Sequence, residues 1–427
     1  MRYSRKERII AKYLSAFPGA KQFLKKTYQK LNFILYRPSH THKSSCAIGA
    51  AEDGEKETFF GYYDKSPESQ CGTYLLYHST ARNTKMLPSG RESIEVVCQN
   101  LGNDEVIYRN ITLAYNWQQG ARLHWVGPKS FVFNVFETNS GYDAIQVTID
   151  EDGEVTESRL GKPVYESIES GFLSLNFEKL NKLRPDYGYR CHEVERELSL
   201  SEEGIYFKNK NAEEWRVLVS LESILKKYPI KTGGDVLSVA QSFQKFNHIM
   251  ANHQGDKFVF LHRYFLDGRR IDRLFCYNMN SQKITLLNKD EMVSHYCWKN
   301  SSELIVYMRD EALCGDNYYL VNADTGEIHT MKDLQDKFGD GHPQSFNEKF
   351  MVFDTYPNKS RLKELFSYHF SNGEILKLGE FLETLSYYGE TRCDLHPRIN
   401  LKGDKVYFDS VHSGKRHLWW IDLNQKV

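Results

Sequence analysis

The sequence has few of the local signatures from which a reaction can be named. It contains no phosphate-binding glycine loop, no nucleophile elbow, no dinucleotide-binding glycine pattern and no zinc-finger spacing of cysteine and histidine. Its eight cysteines are scattered without a CxxC pair, so we expect reduced thiols that pack as small apolar residues. No apolar run approaches the roughly 18 residues of a membrane-spanning helix, and no signal-peptide pattern is present. These absences make the cytoplasm the predicted compartment.

The chain also lacks net charge, because 56 basic and 56 acidic side chains balance. Residues 1–45, however, hold eleven of the basic residues and a single acid, Glu7, so the remainder is acidic to the same extent. Apolar and basic positions recur there at helical spacing, which predicts a basic amphipathic helix after Pro18 and an earlier helix before it. The apolar positions are Leu24, Tyr28, Leu31 and Leu35, with Ile9, Ile10 and Leu14 in the earlier helix, and the basic ones are Lys21, Lys25, Lys26 and Lys30.

This basic helical extension suits the surface of an anionic membrane, where each basic residue contributes on the order of 1 kcal/mol of attraction. The predicted location is therefore peripheral, on the inner face of the cell membrane. Docking of the helix on the acidic remainder of the chain, or on a protein partner, is the alternative. No motif for binding nucleic acid accompanies the basic residues, so we expect no nucleic acid partner.

A repeated β pattern follows the basic extension. Seven short apolar runs, each preceded by a turn, recur at intervals of roughly 45 to 55 residues, which is typical of β-propeller blades. We therefore predict an all-β, seven-bladed propeller over residues 46–427, with residues 1–45 as its helical extension. A large β-sandwich or a β-helix is the alternative. The runs begin at Tyr74, Phe131, Ile205, Phe258, Leu304, Met351 and Val406.

Two parts of this array are irregular. The chain ends at Val427 before the last blade is complete, so a strand located before Phe59 is expected to supply its outer edge. Residues 160–196 have a weak strand pattern within the third blade, and long propeller loops tend to carry function. This segment is expected to form part of a wall over the central channel.

Four histidines occupy nearly the same register in four successive repeats, with separations of 47, 47 and 54 residues. Residues at one register converge on the propeller axis, and convergent imidazoles can hold a metal. We predict a site for a divalent metal, with Mn²⁺ the first choice and Zn²⁺ or Fe²⁺ the others. The alternative is that these histidines only form structural hydrogen bonds. The predicted ligands are His248, His342 and His396, with Gln344 and His295 competing for the fourth place.

Polar residues end the strands that follow these histidines, and antiparallel pairing is expected to bring them to the same funnel. They are His262 and Arg263 in one blade, Arg309 and Asp310 in the next, and then Asp354 and Asp409. Carboxylates among them can orient imidazoles, and arginines can bind an anionic substrate. Arg263, His262 and Asp310 are the catalytic candidates.

The segments around the last two histidines resemble the oligogalacturonate lyase family. They read Gly341-His342-Pro343-Gln344 and Asp394-Leu395-His396-Pro397, followed by the strand Lys405–Ser410. The resemblance covers residues 58–427 and extends in part to TolB-like propellers. It implies a seven-bladed propeller in which three histidines and a glutamine hold Mn²⁺ at the channel mouth. The implied activity is β-elimination, in which the metal binds a uronate carboxylate and a nearby base removes the C5 proton.

A second resemblance lies in Phe59–Pro67, which is similar to a group of bacterial propellers of cell-surface polysaccharide loci, loosely described as glycosyltransferases. Combined with the basic extension, it predicts metal-dependent sugar transfer in capsule or lipopolysaccharide biosynthesis. The alternatives are a metal-dependent oligouronide lyase and a non-catalytic propeller that binds polysaccharide or acts as a scaffold. The expected partner is an acidic or activated sugar, and its candidate binding residues are Arg190, Arg392, Arg398, Tyr63 and Lys65.

Overall fold

The structure is a computed structural model that describes residues 18–191, 197–232, 235–236, 243–266, 269–289 and 291–426. Within these residues, seven antiparallel sheets follow one another along the chain as seven propeller blades. The prediction of an all-β, seven-bladed propeller is therefore confirmed. Helix α1 (Pro18–Leu35) comes first, and the predicted earlier helix with Ile9, Ile10 and Leu14 lies outside the described residues.

The strands are numbered in chain order. The two that precede the first blade are β1 (His42–Ser44) and β2 (Cys46–Ala50). Blade one contains β3 (Glu57–Phe59), β4 (Tyr74–Thr80), β5 (Ile94–Asn100) and β6 (Val106–Thr112). Blade two contains β7 (His124–Gly127), β8 (Ser130–Glu137), β9 (Gly141–Ile149) and β10 (Val155–Arg159). Blade three contains β11 (Glu166–Ile168), β12 (Gly171–Ser174), β13 (Gly204–Asn209) and β14 (Arg216–Ser220), with α2 (Phe177–Leu183) inserted between β12 and β13.

Helix α3 (Leu221–Lys227) and a hairpin of β15 (Lys231–Thr232) and β16 (Asp235–Val236) lead to the remaining blades. Blade four contains β17 (Gln244–Ala251), β18 (Lys257–Leu266), β19 (Arg269–Asn278) and β20 (Ile284–Leu286). Blade five contains β21 (Val293–Trp298), β22 (Glu303–Asp310), β23 (Gly315–Asn322) and β24 (Ile328–Thr330). Blade six contains β25 (Gln344–Phe346), β26 (Phe350–Asp354), β27 (Leu362–His369) and β28 (Ile375–Leu382), and blade seven contains β29 (Arg398–Ile399), β30 (Lys405–Ser410) and β31 (His417–Lys426).

The seven apolar runs identified in the sequence lie in the second strand of each blade or, in blade three, in its third: β4, β8, β13, β18, β22, β26 and β30. These strands are covered on both faces because each blade packs between two others. In β8, for example, Phe131, Val132 and Phe133 are all completely buried, so no polar position alternates with them. Burying each such side chain contributes about 1.5–3 kcal/mol. The apolar runs therefore recur once per blade, because each blade has one such strand buried between neighbouring blades.

The ring is closed by a strand from the start of the chain. β2 pairs with β31 in antiparallel register, so the last blade receives its outer strand from before Phe59, as predicted. β1 pairs with β28 and adds a fifth strand to blade six, a pairing that was not predicted from the sequence. The boundary placed at residue 45 stays a prediction.

Helix α1 leaves a row of apolar side chains uncovered. Leu31 is 56% exposed and Leu35 74% exposed, and Leu24 and Ile34 are also exposed. The helix approaches the propeller through polar contacts such as the ammonium of Lys26, which lies 4.8 Å from the centre of the Tyr388 ring. None of the described helices is long and apolar enough to cross a membrane. Lys21 and Lys25 lie on α1, but the side chains of both are outside the described ones.

Candidate metal centre

Three of the four histidines meet at the centre of the propeller. The ring centre of His342 lies 4.1 Å from that of His295 and 4.3 Å from that of His396. His295 lies in β21, whereas His342 and His396 each stand two residues before the first strand of their blade. All three are buried. The repeat register therefore brings together the side chains of blades five, six and seven.

The Nδ1 atom of each of these histidines faces an acceptor. Nδ1 of His295 lies 2.9 Å from an oxygen of Asp340, and Nδ1 of His342 lies 2.9 Å from an oxygen of Asp354. Nδ1 of His396 lies 2.8 Å from the carbonyl oxygen of Gly61. A carbonyl oxygen can only accept, so His396 carries its proton on Nδ1 and leaves the Nε2 lone pair free. Carboxylates fix the other two rings in the same way.

None of the Nε2 atoms of these three rings has a hydrogen-bond partner among the described residues, and none is among the polar atoms sealed from solvent. These nitrogens therefore keep a small solvent contact and their lone pairs are unused. The carboxylate of Asp394 lies close to two of these histidines. The potential ligand atoms of His342, His396 and Asp394 all lie within 4.8 Å of one another. Two imidazoles and a carboxylate at this spacing form a donor set suited to a divalent transition metal.

The pKa values of these histidines reflect burial and the adjacent carboxylates. Burial lowers the pKa of His396 well below its ordinary range and also lowers that of His295. For His342, burial lowers the pKa, but Asp354 and the other nearby carboxylates together raise it by more, so the pKa lies above its ordinary value. Neutral imidazole, which is the form that binds metal, is thus strongly favoured at His396.

Asp394 also links the histidines to a row of cations. It accepts hydrogen bonds from Arg392 at 2.7 Å and from the buried Lys363 at 3.3 Å. Arg392 reaches on to Asp186 at 3.0 Å, and Asp186 in turn binds Arg184 at 2.8 Å. Burial raises the pKa of Asp394, but Lys363 and Arg392 lower it by more, to well below its ordinary range. The carboxylate is therefore anionic beside the histidines.

Arg184 and Asp186 belong to the irregular segment 160–196 of blade three, which the sequence predicted as a wall over the channel. Arg392 comes from the loop before β29, on the opposite part of the ring. The ion pair of Asp186 with Arg392 therefore joins this segment to blade seven across the cavity. Arg184 and Arg392 keep 31% and 20% of their side chains exposed, so both guanidinium groups remain accessible. We call Arg184 and Arg392, together with Asp186 between them, the basic wall. Asp394 connects this wall to the histidine cluster.

The fourth histidine lies apart from the cluster. His248, in β17, stacks on the Tyr62 ring at 5.3 Å, and its Nδ1 lies 2.9 Å from the Tyr62 hydroxyl. Tyr62 also contacts the His396 ring at 5.1 Å and so stands between the two histidines. Burial lowers the pKa of His248 well below its ordinary value. Its φ of 52° is in the left-handed region, which is uncommon for residues other than glycine.

Residues 60–65, which we call the crossing segment, traverse the channel beneath these histidines. Its backbone N–H groups at Phe60 and Gly61 bind Asp409 of blade seven at 3.0 and 2.9 Å. Farther along, the Tyr63 hydroxyl donates to the Tyr296 carbonyl of blade five at 2.9 Å. Gly61 has a φ of 120°, and a Cβ there would meet the backbone of Gln119 at 2.7 Å, so only glycine fits.

The end of the crossing segment is held by ion pairs. Asp64 pairs with Arg122 of blade two at 2.8 Å, and Lys65 pairs with Glu166 of blade three. Tyr63 lies beneath the histidine cluster, with its ring 5.3 Å from that of His342. The motif Phe59–Pro67, noted in the sequence for its resemblance to other propellers, thus forms the floor of the candidate metal centre.

Several predicted site residues lie elsewhere. Gln344, in β25, accepts a hydrogen bond from the backbone of Ile399 and lines a cavity of about 170 Å³ to which none of the four histidines contributes. Lys65 lines the same cavity. Asp310 accepts from the backbone of Ala312 at 3.0 Å and caps the turn after β22. Its neighbour Arg309 forms an exposed ion pair with Asp316, and the expectation that it faces the funnel stays a prediction.

The two candidate bases of blade four lie on opposite faces of the sheet. His262 is directly opposite Phe246 and Arg273, whereas Arg263 is opposite Lys245 and Asp272, and residues that pair across antiparallel strands share a face. Arg263 is held by Asp272 and is close to the Val293 carbonyl of blade five. His262 bonds to Gln244 at 3.0 Å, on the other face.

The remaining candidates for substrate binding have structural partners. Arg398 is completely buried and binds the carbonyls of Gly61 and Tyr62 together with Asp409. Arg190 pairs with Glu390 at 2.5 Å and keeps 29% of its side chain exposed. Arg392 is the predicted arginine that reaches the histidine cluster, through Asp394.

Asp394 is a candidate ligand that was not predicted from the sequence, although its place two residues before His396 is a usable signal.

Comparisons with known proteins bear on the fold. A scan against models of protein families found no match, and a search of curated protein sequences found none either. Among solved structures, the oligogalacturonate lyase of Vibrio parahaemolyticus superposes with a TM-score of 0.55 at 12% identity, covering 89% of this chain and 96% of that one.

Two further matches are more distant. An oligogalacturonate lyase in complex with manganese gives a TM-score of 0.38 at 10% identity, covering 91% and 95% of the two chains. TolB from Acinetobacter baumannii gives 0.37 at 9% identity, covering 78% and 77%. The structure is therefore a seven-bladed β-propeller similar in fold to oligogalacturonate lyase.

Proposed function

We propose that this protein is a metal-dependent lyase that cleaves an acidic, uronate-containing oligosaccharide by β-elimination. The observation that carries the proposal is the cluster of His342, His396 and Asp394 beside the basic wall of Arg184 and Arg392. A cation site next to accessible guanidinium groups is suited to a substrate with carboxylates. The fold similarity to an oligogalacturonate lyase supports the same class of activity.

The donor atoms fit a divalent metal. His342, His396 and Asp394 would hold it, with His295 next to them, and Mn²⁺ is the first choice because nitrogen and carboxylate donors are mixed. When bound, such an ion withdraws electron density from a uronate carboxylate and makes the adjacent C5 proton more acidic. Asp340 and Asp354 keep the imidazoles oriented for this purpose.

The chain's own residues position the substrate. Arg392 and Arg184 would bind carboxylates of neighbouring sugar units, because each has an accessible guanidinium group held in place by Asp186. The buried floor formed by Tyr62 and Tyr63 keeps water from the other end of the channel away from the reacting carbon. Sugar transfer, which was the first prediction from the sequence, gains no support from the fold comparisons.

Metal content tests the centre. We expect the wild type to bind about one equivalent of Mn, Zn or Fe, and His342→Ala and His396→Ala to weaken binding by more than the roughly 10–100-fold that follows the loss of a ligand's hydrogen-bond partner. His329→Ala, which removes an exposed histidine, is the matched control and should bind like the wild type. Elemental analysis and titration of the refolded apoprotein measure this. A wild type that stays free of metal would show that the histidines are structural.

The activity has its own assay. We expect the metal-loaded protein to release unsaturated products from oligogalacturonates or other oligouronides, and these products absorb in the ultraviolet because the new double bond is conjugated with the carboxylate. The histidine variants should lose this signal. A metal-binding protein that cleaves no uronide would contradict the lyase proposal and favour a propeller that only binds polysaccharide.

We also propose that α1 attaches the protein to an anionic membrane surface. The helix exposes Leu31 and Leu35 together with Lys26, so apolar and basic groups are both accessible. We expect Leu31→Glu with Leu35→Glu to reduce binding to vesicles of phosphatidylglycerol and phosphatidylcholine at least about tenfold, since each leucine contributes about 1.5–3 kcal/mol when buried. Co-sedimentation measures this. Equal binding to purely phosphatidylcholine vesicles, or none to either, would contradict the proposal.

A further inference from the structure

The histidine cluster and helix α1 lie at the same end of the propeller. His342 and His396 precede the first strand of their blades, and Asp354, which bonds to His342, ends the second strand of blade six. This end therefore holds the loops before each first strand and after each second strand. The Tyr36 ring, just after α1, lies 5.7 Å from the ammonium of Lys359 in the loop after β26. We call this end of the propeller the mouth.

The loop between β28 and β29 connects α1 to the candidate metal centre. Near one end of this loop, the ring centre of Tyr388 lies 4.8 Å from the ammonium of Lys26 in α1. Farther along, Arg392 donates to the carbonyl of Gly389 at 3.0 Å and to Asp394 at 2.7 Å. The helix is therefore separated from the candidate metal ligands by one short loop.

Apolar side chains are exposed at the mouth beside this loop. Tyr388, together with Met86 and Leu87 in the loop after β4, exposes about half of its side chain or more. Lys85 connects the two loops, because its ammonium lies 5.5 Å from the centre of the Tyr387 ring. We call Met86, Leu87 and Tyr388 the rim. Single exposed apolar residues are ordinary on a protein surface, but a group of them beside an amphipathic helix indicates an interaction surface.

Helix α1 has an apolar side that the propeller does not cover. Asn32 is buried and Phe33 is half-buried, whereas Leu24, Leu31 and Leu35 are exposed. Positions separated by seven and then four residues lie on one side of an α-helix, so these three leucines form a stripe. The stripe and the rim are therefore both exposed at the mouth end of the molecule.

Basic groups accompany these apolar ones. The ammonium groups of Lys26 and Lys85 lie over tyrosine rings and pair with no carboxylate among the described residues. Two acids beside the rim are instead neutralised by arginine, in the pairs Arg82–Glu92 and Arg190–Glu390. Residues 1–17, which precede α1 in the chain, add five basic residues and one acid. Apolar and basic groups together suit the surface of an anionic membrane.

We propose that α1 and the rim form one membrane-binding surface, so that the mouth faces the lipid headgroups and the substrate is an acidic glycan carried on a lipid. This inference rests on the lyase function and on the membrane attachment of α1 proposed above. A soluble polymer has to enter between the protein and the membrane. A glycan anchored in the same bilayer is already confined to the mouth, which raises its effective concentration.

A fluorescent probe at the rim tests the orientation. Leu87→Cys is labelled with an environment-sensitive dye in a Cys71→Ser background, which removes an exposed native thiol and supplies the blank. On vesicles of phosphatidylglycerol and phosphatidylcholine, we expect a blue shift of the emission and quenching by nitroxide-bearing lipids. Leu401→Cys is the matched control, because Leu401 is similarly exposed but lies between β29 and β30, at the opposite end of the propeller. Its emission should stay unchanged.

Vesicle binding tests the contribution of the rim. Met86→Glu with Leu87→Glu should weaken binding to the same vesicles by about tenfold or more, because two apolar contacts are lost and two negative charges are added. Leu401→Glu, at the opposite end, should bind like the wild type. Co-sedimentation measures both, and equal binding of the rim variant and the wild type would overturn the role of the rim.

Substrate presentation is tested with the metal-loaded protein. With oligogalacturonate coupled to a phospholipid in these vesicles, unsaturated product should form at least about tenfold faster than with the same concentration of free oligogalacturonate. Empty vesicles should slow the cleavage of the free oligosaccharide, because the bound protein has its mouth covered. The rim double variant should lose both effects and still cleave the free oligosaccharide at the wild-type rate when no vesicles are present.

The outcomes separate this proposal from the two on which it rests. A rim probe that remains in water on vesicles to which the protein binds would overturn the orientation and leave the lyase function and the attachment of α1 standing. Equal rates on the free and the lipid-coupled glycan would overturn the substrate class alone. A wild type that forms no unsaturated product from either glycan would overturn the lyase function and the substrate class, while a probe buried in lipid would still support the orientation. A blue shift at residue 87 and none at residue 401, with faster cleavage of the lipid-coupled glycan, would establish the proposal.

Discussion

Replacing Arg398 by methionine is expected to destabilise the protein by about 3–5 kcal/mol, because it leaves the buried Asp409 carboxylate without its cation. Arg398 is completely buried, with its Nη2 2.8 Å from Asp409 and its Nε 2.9 Å from the Tyr62 carbonyl. It also donates to the carbonyl of Gly61. One guanidinium thus fastens the crossing segment to blade seven at three acceptors.

The consequence should extend to the metal centre. The Gly61 carbonyl that Arg398 holds is the acceptor for Nδ1 of His396. A crossing segment released from blade seven would leave this imidazole free to rotate, so we expect the affinity for Mn²⁺ to fall by roughly 10–100-fold. Arg398 was predicted as a substrate-binding residue, and this structural role gives a different expectation, namely that stability and metal affinity fall together.

Denaturant unfolding and metal titration of Arg398→Met measure both effects. The control is Arg159→Met, which removes an arginine paired with Glu137 at the surface, where both side chains are about half exposed. Such a pair contributes about 0–1 kcal/mol, so the control should unfold almost like the wild type. An Arg398→Met protein with wild-type stability that nevertheless loses substrate affinity would support the original assignment instead.

The fold was predictable because its signals are local and repeated. An apolar run such as Phe131–Phe133 is fully buried, and the recurrence of such runs reports the number of blades without any knowledge of the packing between them. Closure by β2 followed from the incomplete last blade. The addition of β1 to blade six was not predictable, because a three-residue polar strand is recognised only by the sheet edge that it meets.

The candidate site was predictable in part. The shared register of the histidines explains why His295, His342 and His396 meet, since side chains at one position of successive blades converge on the axis. The position of a residue in the repeat does not tell where the side chain of a nearby residue points. Gln344 stands two residues after His342, yet it points to Ile399 and to another cavity.

The ion pairs around the candidate site could not be predicted from the sequence for another reason. The row from Lys363 through Asp394 and Arg392 to Asp186 joins residues far apart in the chain, and its geometry depends on how blades three, six and seven pack. A lysine in a strand is usually solvated, and only the three-dimensional packing reveals that Lys245 is enclosed among cations.

Lys245→Met should have the opposite effect to Arg398→Met and make the protein more stable. Both residues are basic and buried, but Arg398 has three acceptors and Lys245 has no hydrogen-bond partner among the described residues. A pKa lowered from 10.5 to about 6 means that folding forces the lysine to release its proton at neutral pH. Releasing a proton costs about 1.4 kcal/mol for each pH unit below the ordinary pKa, so at pH 7 the amine costs on the order of 5 kcal/mol that methionine of similar volume does not.

The pH dependence of this gain identifies its cause. Between pH 6 and 10.5 the unfolded chain holds a proton on Lys245 that the folded protein lacks, so the stability of the wild type rises with pH. The advantage of Lys245→Met should therefore be greatest at about pH 6 and below, and should shrink by about 1.4 kcal/mol per pH unit toward about pH 10. Urea unfolding of both proteins at about pH 6, 7.5 and 9 measures the difference. An advantage that is the same at all three values would mean that Lys245 remains charged in the folded protein. An advantage that declines with pH would show that folding makes the Lys245 amine release its proton, and that burial of this amine destabilises the protein.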